Sequence, residues 1–170
     1  MIQPSIVDYA EKNDVQKIRE FLLSGGNVNT LEYNRNALHA ACISNAKEAS
    51  LELISAGIDV NSRDGYTGAT PLHYCAVYNR YEIAKIIIEH GGRLDILDNY
   101  GNEPLWTAVF NVKGKEEKLP LVSLFLNNGA NKNHKNHAGK SPYDFANQVK
   151  FLPLVKLLEQ RGKIMFQSGC

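Results

Sequence analysis

The chain has 170 residues, of which 44% are hydrophobic and 22% are charged, and its formal net charge is +1. This length and composition suit a single elongated domain with a continuous apolar core. No run of about twenty apolar residues occurs, which excludes a membrane-spanning helix. Residues 1–14 carry Asp8, Glu11 and Asp14 and no apolar signal core, so we expect a protein that stays in the cytoplasm.

Five similar stretches follow one another along the chain, and each is predicted to begin a pair of helices. They are residues 5–10, 36–41, 70–76, 103–108 and 141–146. The last four fit the pattern T-P-L-H-x-A, and the first is a degenerate copy. In this pattern Thr or Ser caps a helix, and Pro fits the first turn, where its missing N–H is not needed.

Apolar residues at helical spacing predict a second helix in each unit. Such faces are formed by Ile83, Ala84, Ile86 and Ile87, by Leu121, Val122, Leu124 and Phe125, and by Leu154, Val155, Leu157 and Leu158. A glycine follows at a nearly fixed distance in each unit: Gly26, Gly57, Gly91, Gly129 and Gly162. We expect these glycines to adopt the left-handed conformation that ends a helix.

The recurring motif and its glycine together resemble the ankyrin repeat. The resemblance spans about residues 5 to 162. It implies an all-α repeat fold, an ankyrin solenoid of about five helix-turn-helix repeats with β-hairpin fingers. The predicted domain covers residues 1–163, with repeats at 3–30, 31–63, 64–96, 97–134 and 135–163 and a flexible tail at 164–170. The first and last repeats are expected to act as caps.

Two departures from the regular repeat are visible. The turn at residues 64–67 precedes Gly68, Ala69 and Thr70 and is one residue longer than usual. In the fourth repeat five extra residues lie within 112–118, and Pro120 restarts the second helix. A surface insertion costs little loop entropy. Two interpretations therefore remain open, a neutral insertion and a loop that contacts a partner.

No catalytic or metal-binding constellation is recognisable, and we predict neither an enzyme nor a cofactor or metal site. His39 and His73 are the motif histidines, for which the resemblance implies hydrogen bonds to neighbouring backbone. His134 and His137 lie three residues apart without nearby Cys or carboxylate ligands, too few for zinc. Cys42 and Cys75 are expected to be packed thiols in a reducing compartment, and Cys170 lies in the tail.

In ankyrin proteins a partner binds the fingers and the exposed edge of the first helices, and the resemblance carries this role to matching positions here. The main partner-binding candidates are Glu32, Tyr33, Arg35, Asp64, Tyr66, Thr67, Tyr78, Asn99, Tyr100, Asn102, Phe110 and Asn111. Further candidates are Ile43, Ser44, Val77, His137 and Lys140. They are chosen as residues neither buried nor required by the fold. Exposed aromatic residues anchor interfaces because they bury large areas with few torsions to freeze.

Alternatives stay open for these aromatic residues. Each finger tyrosine either contacts a partner or packs against the next finger. Trp106 replaces the motif histidine, and we favour a packing role between repeats for it over contact with a ligand.

The charge is unevenly distributed along the chain. Residues 1–64 hold nine acidic and six basic side chains, a balance of −3, whereas residues 99–170 hold five and ten, a balance of +5. Such an asymmetry can steer a charged partner. It equally fits ordinary surface variation. The basic residues lack interleaved aromatic residues, so nucleic acid is not expected as a partner.

The fourth repeat, residues 98–111, and the lysine- and glycine-containing insert resemble short bacterial ankyrin proteins of toxin–immunity systems. Residues 135–142 and the Phe151 helix add to this resemblance. It implies a cytoplasmic immunity protein, monomeric when alone, that binds a cognate toxin domain and occludes it. The alternative hypothesis is an adaptor that regulates an endogenous enzyme. A third hypothesis is an enzyme or metal protein.

Overall fold

The computed structural model describes residues 5–160, which contain ten α-helices in five consecutive pairs. The pairs are α1 (Ile6–Glu11) and α2 (Val15–Leu23), α3 (Ala37–Ser44) and α4 (Lys47–Ser55), α5 (Pro71–Tyr78) and α6 (Tyr81–Glu89), α7 (Pro104–Val112) and α8 (Leu119–Asn127), and α9 (Pro142–Val149) and α10 (Leu152–Gln160). The predicted all-α repeat solenoid is confirmed. None of these helices combines the length and apolar character needed to cross a membrane. Gly162, Cys170 and the predicted tail 164–170 lie outside the described residues.

The helices form two rows, because each helix packs against its equivalent in the next pair. The first row is α1, α3, α5, α7 and α9, and the second row is α2, α4, α6, α8 and α10. Fully buried side chains lie between the rows, among them Leu38, Leu72 and Leu105 in the first row and Ile87 and Phe125 in the second. A single pair could not bury such a face, so the core is continuous along the stack.

The starts of the first-row helices follow the predicted capping chemistry. The Ser5 and Ser141 hydroxyls accept from the amides of Asp8 (3.3 Å) and Asp144 (3.1 Å). Both aspartates return a bond by accepting the N–H of their serine. The local hydrogen bond predicted for Asp144 is therefore confirmed. Glu103 is the exception, because its side chain makes no capping bond at the start of α7.

Left-handed glycines end most of the second-row helices, as predicted. Gly57, Gly91 and Gly129 have φ values of +83°, +89° and +89°. In the first repeat the left-handed residue is Gly25, at +89°, and the prediction of Gly26 is wrong by one position. Glycine adopts this conformation without the steric penalty of a Cβ atom.

The fingers between repeats, residues 32–35, 64–69, 98–102 and 136–140, are turns more than hairpins. Among residues 5–160 the one antiparallel bridge outside helices joins Glu32 and Arg35, so β-hairpin fingers are not confirmed. The Asp64 N–H bonds to Ala69 O, five positions on, whereas Asp98 bonds to Asn102 O, four positions on. The turn at Asp64 is thus one residue longer than the turn at Asp98, which corresponds to the extra residue expected in the third repeat.

Successive fingers are joined through their backbones. The N–H of Gly65 donates to Asn34 O at 2.8 Å, that of Asn99 to Thr67 O at 2.7 Å, and that of His137 to Tyr100 O at 3.0 Å. The fingers therefore form a continuous row beside the N-terminal ends of the first-row helices.

The insertion of the fourth repeat lies between α7 and α8 and contains a 3₁₀ helix, Glu116–Lys118. Lys118 Nζ donates to Asn111 O at 2.8 Å and so ties the insertion to the end of α7. Pro120 lies in the first turn of α8, as the sequence predicts.

Candidate functional site

Several predicted contact residues converge on one cleft between the fingers and the first helix row. The cleft has a volume of about 290 Å³. Its lining residues are Thr67, Ala69, His73, Tyr74, Val77, Tyr78, Asp98, Tyr100 and Thr107. We refer to it as the tyrosine cleft. Its walls come from the fingers 64–69 and 98–102 and its floor from α5 and α7, so it forms only when two repeats stack.

The finger tyrosines project away from the protein. Tyr33, Tyr66 and Tyr100 are 62%, 62% and 63% exposed, and Tyr78 on α5 is 42% exposed. More than half of the surface of each finger tyrosine is accessible, so packing against the next finger does not bury it. These four rings are available to another molecule along one side of the stack.

Two predicted contact residues are instead structural. Asp64 is 4% exposed and Asn102 is 8% exposed, so the expectation that they lie on the surface is wrong. The Asp64 carboxylate accepts the N–H groups of Tyr66 (2.7 Å), Thr67 (2.6 Å) and Gly68 (3.2 Å). Turns need such acceptors for their free N–H groups, which is why this side chain points inward.

Asn102 is held equally firmly. Its side-chain Nδ2 donates to Asp98 Oδ2 at 3.0 Å, and its Oδ1 accepts from Asn136 Nδ2 at 2.9 Å. Its backbone carbonyl lies 3.0 Å from His73 Nε2. The residue therefore joins three successive repeats and has little left to offer a partner.

Other candidates are partly engaged in the fold. Asn99 is exposed but accepts from the Arg63 guanidinium at 2.9 Å and packs its finger onto the preceding one. Asn111 is half-buried and donates to Thr107 O at 2.9 Å. Arg35 is half-buried as well, and its Nε is buried without a hydrogen-bond partner among the described residues.

Tyr74 is a cleft residue that the sequence analysis missed. Its hydroxyl donates to Asp64 Oδ2 at 3.0 Å, and its ring meets His39 edge-on with centroids 5.1 Å apart. Burial, together with the nearby Asp64 carboxylate, raises the pKa of Tyr74 to about 12. The signal was available, because Tyr74 and Tyr78 are four residues apart and share one helix face.

The ionisation of Asp64 follows from the same contacts. Burial acts to raise its pKa, but the hydrogen bonds from Thr67, Tyr66 and Tyr74 outweigh burial and hold the pKa below its usual value. A buried carboxylate is therefore kept ionised by donors that surround it. Its charge sets the orientation of Tyr74 at the back of the tyrosine cleft.

The motif histidines have the structural role that the resemblance implied. His39 Nε2 lies 3.1 Å from Ala69 O, and His73 Nε2 lies 3.0 Å from Asn102 O, so each ring reaches the finger of the next repeat. Burial lowers the pKa of His39 to about 4 and also lowers the pKa of His73. Neutral buried rings with both nitrogens engaged are poor candidates for catalysis.

Trp106 packs between repeats, as favoured from the sequence. Its ring stacks on Phe110 with centroids 5.2 Å apart and meets Phe145 of α9 at 5.7 Å. In the fourth repeat this aromatic cluster takes the place of the histidine bond. Its Nε1 is buried without a hydrogen-bond partner among the described residues, which carries a desolvation cost.

His134 makes contacts within the fourth repeat. Its Nε2 lies 3.0 Å from Gly101 O, and its Nδ1 lies 3.6 Å from Glu103 Oε1. Burial raises the pKa of Glu103. Within residues 5–160, no three His, Cys, Asp or Glu side chains converge as metal ligands.

The two described cysteines are buried neighbours, with Cys42 Sγ and Cys75 Sγ 3.5 Å apart. Burial raises the pKa of the Cys75 thiol well above its usual value. A protonated, inaccessible thiol is a weak nucleophile. The expectation of packed thiols is confirmed for this pair.

Comparison with known proteins identifies the repeat. The family model for ankyrin repeats in three copies matches residues 63–136, and a model for ankyrin repeats in many copies matches residues 38–86. An ankyrin repeat protein of Rickettsia conorii is 34% identical over 71 residues, which make up 41% of this chain and 99% of that protein.

Longer relatives match as well. The B-cell lymphoma 3 protein homolog of Mus musculus is 29% identical over 159 residues, 90% of this chain and 34% of that protein. A palmitoyltransferase of Kluyveromyces lactis is 36% identical over 76 residues, 45% of this chain and 10% of that enzyme. The chain thus spans about a third of the mouse relative and a tenth of the yeast relative.

Proposed function

This chain belongs to the ankyrin repeat family, whose repeats are protein-binding modules and generally not enzymes, and we propose that its partner is a bacterial toxin domain. The protein would act in the cytoplasm as an immunity protein. It would bind the toxin through the fingers and the tyrosine cleft and cover the active site or the path of the substrate. Inhibition is then steric and requires no chemistry from this chain.

The observation that carries the proposal is the row of exposed aromatic rings beside a preformed cleft. Tyr78 and Tyr100 line a cavity of about 290 Å³ whose floor is fixed by buried hydrogen bonds, and the exposed Tyr66 precedes the lining residue Thr67 in the chain. Rigid rings at the edge of a ready-made cavity lose little conformational entropy on binding. Tyrosine is enriched among the residues that dominate binding energy.

Two further facts support a toxin as the partner. The matched relatives include ankyrin repeat proteins from two Rickettsia species, so chains of this kind occur in bacteria. The N-terminal half is acidic, with a balance of −3 over residues 1–64. An acidic surface would accelerate association with a basic toxin domain such as a nuclease.

An adaptor that regulates an endogenous enzyme is the second candidate. It is favoured by the match to a short part of the Kluyveromyces lactis palmitoyltransferase, where similar repeats belong to a much longer enzyme. Repeats in that setting would recognise a protein for an activity that lies elsewhere in the chain.

Affinity purification of the tagged protein from its native host, followed by mass spectrometry, tests the proposal. We expect one toxin-like protein in a one-to-one complex, and co-expression should protect cells from that protein. The Tyr78→Ala and Tyr100→Ala variants should protect less well. Recovery of a housekeeping enzyme, with no protective effect against any toxin, would favour the adaptor.

A further inference from the structure

A second, larger cleft lies between the last two repeats, at the ends of α7 and α9 that point away from the fingers. Its volume is about 410 Å³. Its apolar walls are Phe110, Phe145, Val149, Phe151 and Leu154, and Lys113 and Lys150 lie among its lining residues. We call it the basal cleft. No residue lines both the basal cleft and the tyrosine cleft.

The equivalent position between the second and third repeats shows why this cleft is open. There Arg80, just after α5, donates from Nε to Cys42 O at 3.1 Å and from an Nη to Ile43 O at 2.8 Å. Its guanidinium fills the space at the end of α3. In the last repeat the residue at the Arg80 position is Phe151, which cannot make these bonds.

The insertion of the fourth repeat shapes the same place. Helix α7 extends to Val112, and the turn that follows contributes Lys113 and Gly114 to the cleft. The carbonyl of Asn111 is satisfied by Lys118 of the insertion. Part of the hydrogen bonding of the backbone at the end of α7 is therefore supplied by its own repeat. The cleft beside it is left apolar.

We propose that the basal cleft is a second binding site, for a protein segment that carries an aromatic or large aliphatic residue flanked by acidic residues. The aromatic or aliphatic residue of this segment would contact the three phenylalanine rings of the cleft. Two of these rings, Phe110 and Phe145, have centroids 5.4 Å apart. The volume lies within the range of preformed ligand sites.

Charge complementarity selects the flanking residues of that segment. Lys113 and Lys150 line the cleft, no acidic side chain is among the described lining residues, and neither lysine pairs with a described carboxylate. The chain's own residues 161–170 contain Arg161 and Lys163 and no acidic residue. They do not complement this charge, and the proposed occupant is therefore a segment of another protein.

The test is selection from a displayed library of short random peptides on the wild-type protein, with the Phe151→Arg variant as the counter-target. We expect the enriched peptides to share an aromatic residue or leucine flanked by Asp or Glu. Synthetic copies should bind Phe151→Arg about tenfold or more weakly by fluorescence polarisation. The introduced guanidinium should occupy the cleft as Arg80 occupies its equivalent.

Further variants and measurements test the role of charge and separate this result from unfolding and from binding at the other cleft. The double variant Lys113→Glu with Lys150→Glu keeps the apolar walls and should weaken the same peptides, and added salt should weaken binding to wild type. Tyr100→Ala should bind them as wild type does, whereas it should impair the proposed toxin interaction. Thermal unfolding should show that Phe151→Arg is folded.

Three results would overturn the proposal. They are the absence of any peptide that distinguishes wild type from a folded Phe151→Arg variant, a preference for basic flanking residues, and equal affinity for the lysine double variant. None of these results bears on the tyrosine cleft, so the toxin proposal stands or falls separately.

Discussion

His39 and His73 occupy the same position in successive repeats, and each carries its ring to a backbone carbonyl of the next finger. Trp106 and Asp144 occupy that position in the later repeats and behave differently. Trp106 replaces a hydrogen bond with aromatic stacking, and Asp144 turns back to its own helix start. The side chain at this one position thus decides whether a hydrogen bond to the next finger is added to the other bonds between neighbouring repeats.

Acid should weaken the fold through these histidines. Burial lowers the pKa of His39 to about 4, whereas an unfolded histidine titrates near 6.5. As the pH falls between these values, the unfolded chain binds protons that the folded chain does not, so the free energy of unfolding decreases. His39 should contribute up to roughly 3 kcal/mol above the upper pKa, and this contribution is lost towards the lower one.

Urea unfolding at about pH 7 and about pH 5 measures this loss. The His39→Gln variant is the matched control. It should be less stable than wild type near neutrality but should lose less stability on acidification. Equal pH dependence of the two proteins would show that His39 does not titrate with folding.

Leu72 tests the packing between the rows. The side chain is 0% exposed, so Leu72→Ala should leave a cavity and lower the free energy of unfolding by about 2 to 5 kcal/mol. Leu23, which is 88% exposed, provides the control, because Leu23→Ala should change stability by no more than about 0.5 kcal/mol. Similar melting temperatures for both variants would contradict the assigned register.

The exposed tyrosines should matter for binding and not for folding. Tyr66→Ala, Tyr78→Ala and Tyr100→Ala should weaken binding of the purified partner, by about 1 to 3 kcal/mol for the strongest of them, with little change in melting temperature. Calorimetric titration measures the loss. Tyr81→Ala is the matched control, since Tyr81 is exposed on the second-row helix α6. If all four variants lost equal affinity, the tyrosine cleft would have no special role.

At the scale of the helices, the ends of the first row are where the repeats differ most. Ser5, Asn36 and Ser141 cap their helices through side chains, whereas Glu103 does not. At the opposite ends, Arg80 closes the gap between the second and third repeats, and Phe151 leaves the basal cleft open. The helices are similar from repeat to repeat, and the features that distinguish one repeat from another lie at the helix ends.

Removing the Arg80 contact should loosen one interface between repeats. Arg80→Met keeps a long side chain with an apolar stem but loses the hydrogen bonds to Cys42 O and Ile43 O. Because the guanidinium is half-buried and water can partly replace it, the loss should be about 1 to 2 kcal/mol. Chemical denaturation measures it. Lys85→Met removes only a 4.0 Å surface pair and should be nearly neutral, so equal effects would argue against a special role for Arg80.

At the scale of the whole molecule, each helix pair within residues 5–160 packs mainly against its neighbours along the stack. Stability is therefore a sum of repeat and interface contributions. The middle pairs have an interface on both sides, and the first pair has one. The charge is also polarised along this axis, from −3 over residues 1–64 to +5 over residues 99–170.

Native-state hydrogen exchange should follow this gradient. We expect the slowest amide exchange in α3, α5 and α7 and faster exchange in α1 and α2, because a terminal pair can open without disrupting two interfaces. Mass spectrometry of peptic fragments would measure it. Equal protection of the first pair and the middle pairs against amide exchange would contradict this expectation.

The sequence by itself determined the repeat architecture, since its signals are local. The apolar spacing, the capping residues and the helix-ending glycines each act within a few positions, and they predicted apolar helix faces whose Ile83, Ile87 and Phe125 are buried in the core. The resemblance to ankyrin repeats implied the bonding role of His39 and His73, and the packing role was favoured for Trp106. The exposed tyrosines followed from their places in the repeat.

The tertiary structure alone decided the burial of Asp64 and Asn102 and the shapes of the two clefts. Asp64 and Asn102 look like surface residues, but both are buried. The Asp64 carboxylate turns inward to accept N–H groups of its own finger. Asn102 is buried where Asn136 of the next repeat and His73 of the preceding repeat reach it, and only stacking brings those two residues together. Tyr74 meets His39 of the preceding repeat, and Phe151 lines the basal cleft together with Phe110 of the preceding repeat. Both clefts form where two repeats pack together, and the residue spacing within one repeat does not predict which side chains come together there.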